Sequence, residues 1–393
     1  MDGLSALQNW LDAIGAPQWS WFAKRLSAND TGSTGGHQAG FYLPRELALS
    51  VAPELADLVP NPRREIRFAL VSHDQVSEPC LVYYNSRVTR LQPNGRNEFR
   101  VTGFGGRRSS LQDQESTGAI LATAWNTSTG EVQAWLADAL EEETAIEAVF
   151  GPIEPGTHVQ RVVNAAGAAT LVTAAPMGCE PALSTLPGPW AAAFPPGREL
   201  ADEAIRRRPG VGETADRRLV ERYRCEFGLF KVVEQAHTLP RITAGFKTVD
   251  DFLTVAQTVA NRRKSRAGRS LELHLAKVFS EAGVHYDRGE STEDNRRPDF
   301  VFPSIADYRA GRPTRMLGVK TSVKERWRQV IDEAARIPDK HLFTLSEGVS
   351  VDQFNQMRGA GLTLVTPEEN VKKFPLAIRS GLMTLANFVQ LVK

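Results

Sequence analysis

The chain has 393 residues, 41% of them apolar and 24% charged, with a formal net charge of +1 at pH 7. That length favours two domains over a single core, and a balance so near neutral excludes a protein that coats nucleic acid with uniformly basic surface. No apolar run is long enough for a membrane span, and the opening Met1-Asp2-Gly3-Leu4 lacks the basic and apolar regions of a secretory leader.

Residues 1–175 read as short strands and turns. Ala69-Leu70-Val71-Ser72, Leu81-Val82-Tyr83-Tyr84, Val132-Gln133-Ala134-Trp135 and Thr170-Leu171-Val172 are apolar or alternating, with Gly, Pro, Asn and Asp between them. This is the pattern of strands punctuated by turns. Asp138 to Phe150 reads as a helix, and the half as a whole as a β-rich barrel or sandwich. Residues 176–212 concentrate glycine and proline, including Pro181, Pro187, Pro189, Pro195, Pro196 and Pro209, and are predicted to form an interdomain linker.

From residue 213 the pattern turns helical. Asp216 to Leu239 places Leu219, Tyr223, Phe227, Phe230 and Val233 at three- and four-residue steps, the period of a helix with one buried face. Val249–Val259, opened by Thr248, and Gly268–Ala282 are predicted as two further helices. Then come strands at Asp299–Phe302 and Met316–Thr321, a helix from Val323 to about Ile337, and strands at His341–Thr344 and Leu362–Val365. Alternating strands and helices predict an α/β domain with a mixed central sheet over 213–393. Cys80, Cys179 and Cys225 are too few and too widely spaced for a disulfide framework or a zinc site, which predicts reduced thiols and a cytoplasmic protein.

Cleaving a phosphodiester calls for a hard divalent ion on carboxylate oxygens, which neutralises charge and acidifies water. A nearby cation can meet the charge developing on the phosphate. Asp299 at the mouth of one strand, Lys320 at the end of the next and Glu333 on the following helix offer that set. The familiar nuclease pattern puts an acid two residues before the lysine. That position is Gly318 here, so Glu333 is read as the replacement. It sits between Val330 and Ile337, at the edge of a stripe with Trp327, Ile331 and Ala334, where a carboxylate is costly unless paired or metal-bound. Glu272 poses the same question beside Leu275, Ala276 and Phe279.

Each residue also has an ordinary reading. Asp299 can be a cap or turn residue and Lys320 a solvated strand end; Glu333 can pair with Arg326, Arg336 or Lys340, and Glu272 with Arg269 or Lys277. Taken in this order on successive elements, they favour a nuclease. Two basic patches, Arg262-Arg263-Lys264 with Arg266 and Arg269, and Lys320, Lys324, Arg326 and Arg328, fit local attraction of phosphates and equally fit solvated helix faces.

Several blocks are similar to the EcoRII-type restriction endonucleases. They are Asn261–Gly268 with Leu271-Glu272, Pro298-Asp299-Phe300, Val319-Lys320-Thr321 and Lys324–Gln329, and in the first half Lys24–Gly32, Gly35-Gly36-His37-Gln38, Tyr83–Arg87 and Leu111-Gln112-Asp113. The resemblance covers nearly the whole chain. It implies a homodimeric, Mg²⁺-dependent type II enzyme that acts on double-stranded DNA and needs a further copy of its site as effector. It also implies autoinhibition by the N-terminal domain, a target of the CC-(A/T)-GG kind, and a DNA cytosine methyltransferase encoded nearby.

By that likeness Asp299, Lys320 and Glu333 form the catalytic core, Asp299 and Glu333 bind the metal, and Glu272 is an accessory acid. Lys324, Glu325 and Arg326 would read base edges, chemistry that suits guanine and cytosine, with Arg262, Lys264 and Arg266 also on the DNA. In the N-terminal half the resemblance implies a barrel-like effector-binding domain whose Arg25, His37, Arg96, Glu98 and Arg100 contact DNA. Val88–Phe99 departs from the family pattern, with Phe99 standing where a basic residue is expected. The rival readings are a DNA-binding regulator that has lost cleavage and a nuclease directed by DNA structure or modification.

Overall fold

The computed structural model describes the chain apart from residues 1–2, 36–38, 58, 90–93, 164–168, 175–178 and 180–184, and apart from the side chains of 107, 169–174, 294 and 325. Its internal contacts divide it into two units. The first is Met1–Ala174 with Ser346–Phe354 and Lys373–Ile378; the second is Ala175–Leu345, Asn355–Lys372 and Arg379–Lys393. No described helix is long and apolar enough to cross a membrane.

The first unit contains helices α1 (Gly3–Ile14), α2 (Arg45–Val51) and α3 (Leu140–Phe150). Its strands are β1 (Trp19–Arg25), β2 (Gly40–Leu43), β3 (Arg63–Glu65), β4 (Phe68–Leu70), β5 (Gln75–Ser77), β6 (Cys80–Tyr84), β7 (Glu98–Thr102), β8 (Ile120–Asn126), β9 (Val132–Leu136), β10 (His158–Val163) and β11 (Ala169–Ala174). They form a seven-stranded sheet, β11-β10-β1-β8-β9-β4-β5, and a four-stranded sheet, β2-β7-β6-β3. The two-residue period of a strand explains the layering. On β8, Ile120, Ala122 and Ala124 join α1 and α3 in one core, while Leu121 and Trp125 join Phe41, Tyr83 and Phe99 of the other sheet in a second core. Neither sheet closes on itself among the described residues. The unit is β-rich, as the sequence pattern of a barrel or sandwich predicts, but with two open sheets in place of the barrel-like domain that the resemblance implies.

In the second unit α4 (Pro189–Ala192) and α5 (Gly197–Arg207) precede two long helices, α6 (Ala215–Thr243) and α7 (Val249–Glu281). Helices α4 and α5 fall inside the segment read as linker. Trp190, Leu200 and Ala204 bury against Leu229, Phe230 and Val233 of α6, so those prolines punctuate a packed segment instead of a solvated tether. Cys179 and Cys225 are joined by a disulfide and Cys80 is the free cysteine, which corrects the expectation of three reduced thiols. Sequence spacing alone did not reveal that the chain returns to α6 at that point. The two helices predicted between 249 and 282 are one, because Asn261–Ala267 contains no helix breaker and Gly268 costs a helix only about 1 kcal/mol.

The remaining strands are β12 (Phe300–Phe302), β13 (Arg315–Lys320), β14 (Lys340–Thr344), β15 (Leu362–Thr366) and β16 (Met383–Thr384), and the short helices are α8 (Ile305–Arg309), α9 (Arg328–Ile331), α10 (Val351–Gly359), which begins in the first unit's segment and ends in the second's, α11 (Glu368–Val371) and α12 (Leu385–Leu391). The sheet order is β12-β13-β14-β15-β16. The first pair is antiparallel and the others are parallel, which gives the mixed sheet expected. Phe279 of α7 meets Phe300 and Phe302 edge-on at 5.2 and 5.1 Å, and Phe302 meets Phe388 of α12 at 5.5 Å. Each buried ring of this kind contributes about 2–3 kcal/mol, and together they fix β12 beneath α7.

The helix predicted from Val323 to Ile337 is not continuous. Lys324–Trp327 is a single 3₁₀ turn and α9 ends at Ile331. Glu333 follows in a turn in which Ala334 takes φ 48°, a left-handed conformation that stops a helix. No glycine or proline marks that stop. Contacts from elsewhere hold it: the Tyr308 hydroxyl accepts the Arg336 backbone N–H at 3.3 Å and donates to Glu293 at 2.5 Å. Glu293 in turn pairs with the Arg336 guanidinium at 2.7 Å.

Candidate active site

Asp299 immediately precedes β12, and the antiparallel register Phe300↔Leu317 sets it beside the C-terminal end of β13. Its Oδ2 accepts the Val319 backbone N–H at 2.6 Å. Lys320 is the next residue and the last of β13. Glu272 stands two turns before Phe279 on α7, and because Phe279 packs on β12, Glu272 falls near the Asp299 end. It pairs with Arg288 at 2.7 Å, a partner that sequence reading had not named. Gly318 is occupied by none other than its neighbour: a Cβ there would lie 2.7 Å from Val330 Cγ1 and 2.9 Å from Cγ2. The usual acidic position is therefore filled by Val330 of α9, and the second carboxyl arrives three residues later as Glu333.

The charges of these groups act on one another. Burial raises the Asp299 carboxyl to about 6; Lys320 opposes the rise and Glu272 adds to it. Burial, followed by the charge of Asp299, raises Glu333 to about 7, with Lys320 and Arg296 opposing. Oε2 of Glu333 is buried without a hydrogen-bond partner. Two of its expected alternatives are otherwise engaged, since Arg336 is held by Glu293 and Lys340 donates to the Ile337 carbonyl at 2.7 Å. A buried, unsatisfied carboxylate oxygen costs about 1–3 kcal/mol or more, so this arrangement is poised for a cation.

Among the described residues no three His, Cys, Asp or Glu side chains converge as a metal cage. Two carboxylates suffice for a small hard ion that keeps several waters and takes its other oxygens from a phosphate. The residues present fit such an ion, and Asp299 and Glu333 are the pair that could hold it.

Two family models match the chain, EcoRII C terminal over residues 230–389 and restriction endonuclease EcoRII, N-terminal, over residues 15–164. The type II restriction enzyme EcoRII of Escherichia coli is 38% identical over 398 residues, which is 98% of this chain and 97% of that protein. The chain belongs to the EcoRII family of type II restriction enzymes. The type II restriction enzyme SsoII of Shigella sonnei is 29% identical over 139 residues, 33% of this chain and 45% of that one. Among solved structures, metal-depleted Ecl18kI in complex with uncleaved, modified DNA has a TM-score of 0.43 at 19% identity, covering 51% of this chain and 78% of its own. The restriction endonuclease PspGI–substrate DNA complex has a TM-score of 0.42 at 17% identity, covering 52% and 93%. Membership of the EcoRII family rests on the full-length match.

In this EcoRII-family chain the residues expected to touch DNA are placed unevenly. Lys264 is exposed on α7. The Arg262 guanidinium stacks over Phe194 at 4.3 Å. Arg266 is buried, with its guanidinium 4.2 Å from the Phe227 ring, a cation–π contact that ties α7 to α6. With Arg269, Glu272 and Arg288, Arg262 and Arg266 line a cavity of about 790 Å³. Lys324 and Arg326 lie on the 3₁₀ turn after Lys320 and are half-buried; the side chain of Glu325 is outside the description.

In the first unit Arg25 is 6% exposed and donates to Glu143 at 2.9 Å, Glu147 at 3.1 Å, the Ile153 carbonyl at 2.8 Å and the Gly118 carbonyl at 3.1 Å. Arg100 is 8% exposed and pairs with Asp30 and the Gly40 carbonyl. Both guanidiniums are committed to internal partners. Arg96 is exposed, over the Tyr84 ring at 5.5 Å and 3.8 Å from Glu98. His37 lies outside the described residues.

Proposed function

We propose that this chain hydrolyses phosphodiester bonds of double-stranded DNA at a short pseudopalindrome of the CC-(A/T)-GG kind, as a Mg²⁺-dependent homodimer activated by an effector copy of the site. The observation that carries the reading is the buried Oε2 of Glu333, which has no hydrogen-bond partner, on a carboxyl that feels the charges of Asp299 and Lys320. A divalent ion bound there supplies positive charge and acidified water. Asp299 is oriented by the Val319 N–H, so one of its oxygens is fixed toward β13. Lys320 holds the attacking water by hydrogen bond and meets the charge that develops on the phosphate. Glu272, tempered by Arg288, adjusts the field at Asp299.

Target reading falls to Lys324, Glu325 and Arg326, and phosphate attraction to Arg262 and Lys264. Effector DNA is taken by the N-terminal half through Arg96, Glu98 and His37, and that half holds cleavage in check until it is filled. The chain works in the cytoplasm, and its genetic partner is a cytosine methyltransferase that protects the host's own sites. A DNA-binding regulator without cleavage finds no support in the full-length match to EcoRII.

Digestion of plasmids carrying several, one or no CC-(A/T)-GG sites, followed by end sequencing, tests this. Discrete fragments with ends at those sites are expected, with the one-site plasmid cut slowly until a duplex bearing the site is added. Ends at unrelated sequences, or cutting confined to modified DNA, point to a nuclease of different specificity.

A further inference from the structure

Glu272 reads as an accessory acid, yet the structure gives its charge to another group. Its Oε2 accepts a hydrogen bond from the Arg288 guanidinium at 2.7 Å, with the two side chains 28% and 30% exposed. Among the described residues Glu272 does not join Asp299 and Glu333 in a group of three acids able to share an ion. An ordinary surface pair of this kind contributes little. This one is held in place from two sides.

Asp287 donates its backbone N–H to the Val301 carbonyl at 2.9 Å and accepts the Val301 N–H at 3.0 Å. An antiparallel bridge of that kind sets Arg288 opposite Phe300. The Arg288 guanidinium lies 5.1 Å from the centre of the Phe300 ring, a cation–π contact. Phe300 is buried and follows Asp299 directly. Asp287 Oδ2 also accepts the Ile305 N–H at 2.8 Å, which ties the same segment to α8. Backbone and ring together fix Arg288 beside the acid that it neutralises.

Position decides what the pair does. Glu272 and Arg288 both act on the Asp299 carboxyl, with opposite sign. A Mg²⁺-sized ion takes its oxygens at about 2.0–2.1 Å, so an ion on Glu272 would have to displace the guanidinium or sit against its positive charge. With Glu272 matched by Arg288, the ionised Asp299 and Glu333 face Lys320. One divalent ion then turns a negative site positive, which is the sign an incoming phosphate needs.

We propose that the Arg288 guanidinium occupies the place beside Glu272 that a second divalent ion would take, so that each site works with a single ion. Arg288 is a positioning residue in this role: it keeps Glu272 from serving as a ligand and leaves the ion to Asp299 and Glu333. The inference rests on the reading of those two carboxyls as the ion-binding pair, to which it adds the number of ions and the residue that sets it.

Counting bound Mn²⁺ by electron paramagnetic resonance tests it, on the full-length chain with a duplex bearing the site at pH 8. The Asp299→Asn chain with the same duplex gives the ions held by DNA alone. Wild type should bind one ion per chain above that background. Arg288→Ala should bind a second, weaker ion, and adding Glu272→Gln should remove it. Arg288→Lys, which keeps the charge, should stay at one. Glu272→Gln alone should also stay at one, with weaker affinity because Arg288 then stands unmatched near the ion. Thermal melts show which variants are folded, and Glu272→Gln decides alone where Arg288→Ala is not. Two ions on wild type, one on a folded Arg288→Ala, or none on Glu272→Gln overturns the inference while the ion-binding pair stands. Wild type indistinguishable from Asp299→Asn overturns the reading of that pair as well.

Discussion

Asp299 and Glu333 are two carboxyls raised by burial, to about 6 and about 7, and the direction of their effect on stability follows. Well below pH 4 both are protonated whether the chain is folded or not. As pH rises through the ordinary carboxylate range the unfolded chain releases its protons, while the folded chain keeps them until pH 6–7. The unfolded state therefore gains, and the metal-free fold loses stability as pH rises from about 4 to about 7, with the whole loss present above that. Asp299→Asn and Glu333→Gln should then raise metal-free stability at pH 8 by about 1–3 kcal/mol while abolishing cleavage. Urea unfolding in chelator at pH 5 and pH 8 checks this; equal slopes with pH for wild type and variants would contradict the shifts. Mg²⁺ added at pH 8 should raise the melting temperature of wild type and leave Asp299→Asn unmoved. Gly318 gives a second residue-scale prediction. Restoring the familiar motif with Gly318→Glu places atoms on Val330 and should cost about 1–3 kcal/mol. Val330→Ala in the same chain should recover part of that loss in a urea titration.

At the scale of elements, two kinds of arginine in the N-terminal unit should behave differently. Arg25 closes β1 onto α3 through Glu143 and Glu147, and removing one partner of a buried pair costs about 3–5 kcal/mol. Arg25→Ala should thus unfold early in thermal melts, whereas Arg96→Ala should melt as wild type and bind effector duplex more weakly. A stable Arg25→Ala with lost DNA binding would reverse that assignment. The same elements show how far sequence carries. The apolar runs Phe300-Val301-Phe302 and Met316–Val319 announce β12 and β13, and the order acid, lysine, acid announces the cluster, because those signals are local. Glu333 was found for an incomplete reason. Its place at the edge of an apolar stripe is legible, but the stripe is folded through a turn fixed where Tyr308 and Glu293, both tens of positions earlier in the chain, hold Arg336. The pairing of Glu272 with Arg288 and the burial of Arg25 and Arg100 were hidden for the same cause. A charge on a strand reads alike whether it faces solvent or an acid from a distant helix. The bond between Cys179 and Cys225 likewise depends on a chain reversal that no spacing records.

At the scale of the molecule, a β-rich unit of two open sheets and an α/β unit with a five-stranded mixed sheet divide the proposed work between effector binding and cleavage. Full-length similarity to EcoRII fixes the family, and the carboxyl–lysine cluster supplies the chemistry proposed for it. The most direct test is cleavage of a multi-site plasmid by wild type, Asp299→Asn, Lys320→Ala and Glu333→Gln, each with Mg²⁺ and with chelator, alongside binding of a duplex bearing the site. The account predicts Mg²⁺-dependent fragments for wild type alone, with a loss of at least about 10³-fold in each variant and duplex binding retained by all. Cleavage that persists in Asp299→Asn or Glu333→Gln, or that proceeds in chelator, would contradict it.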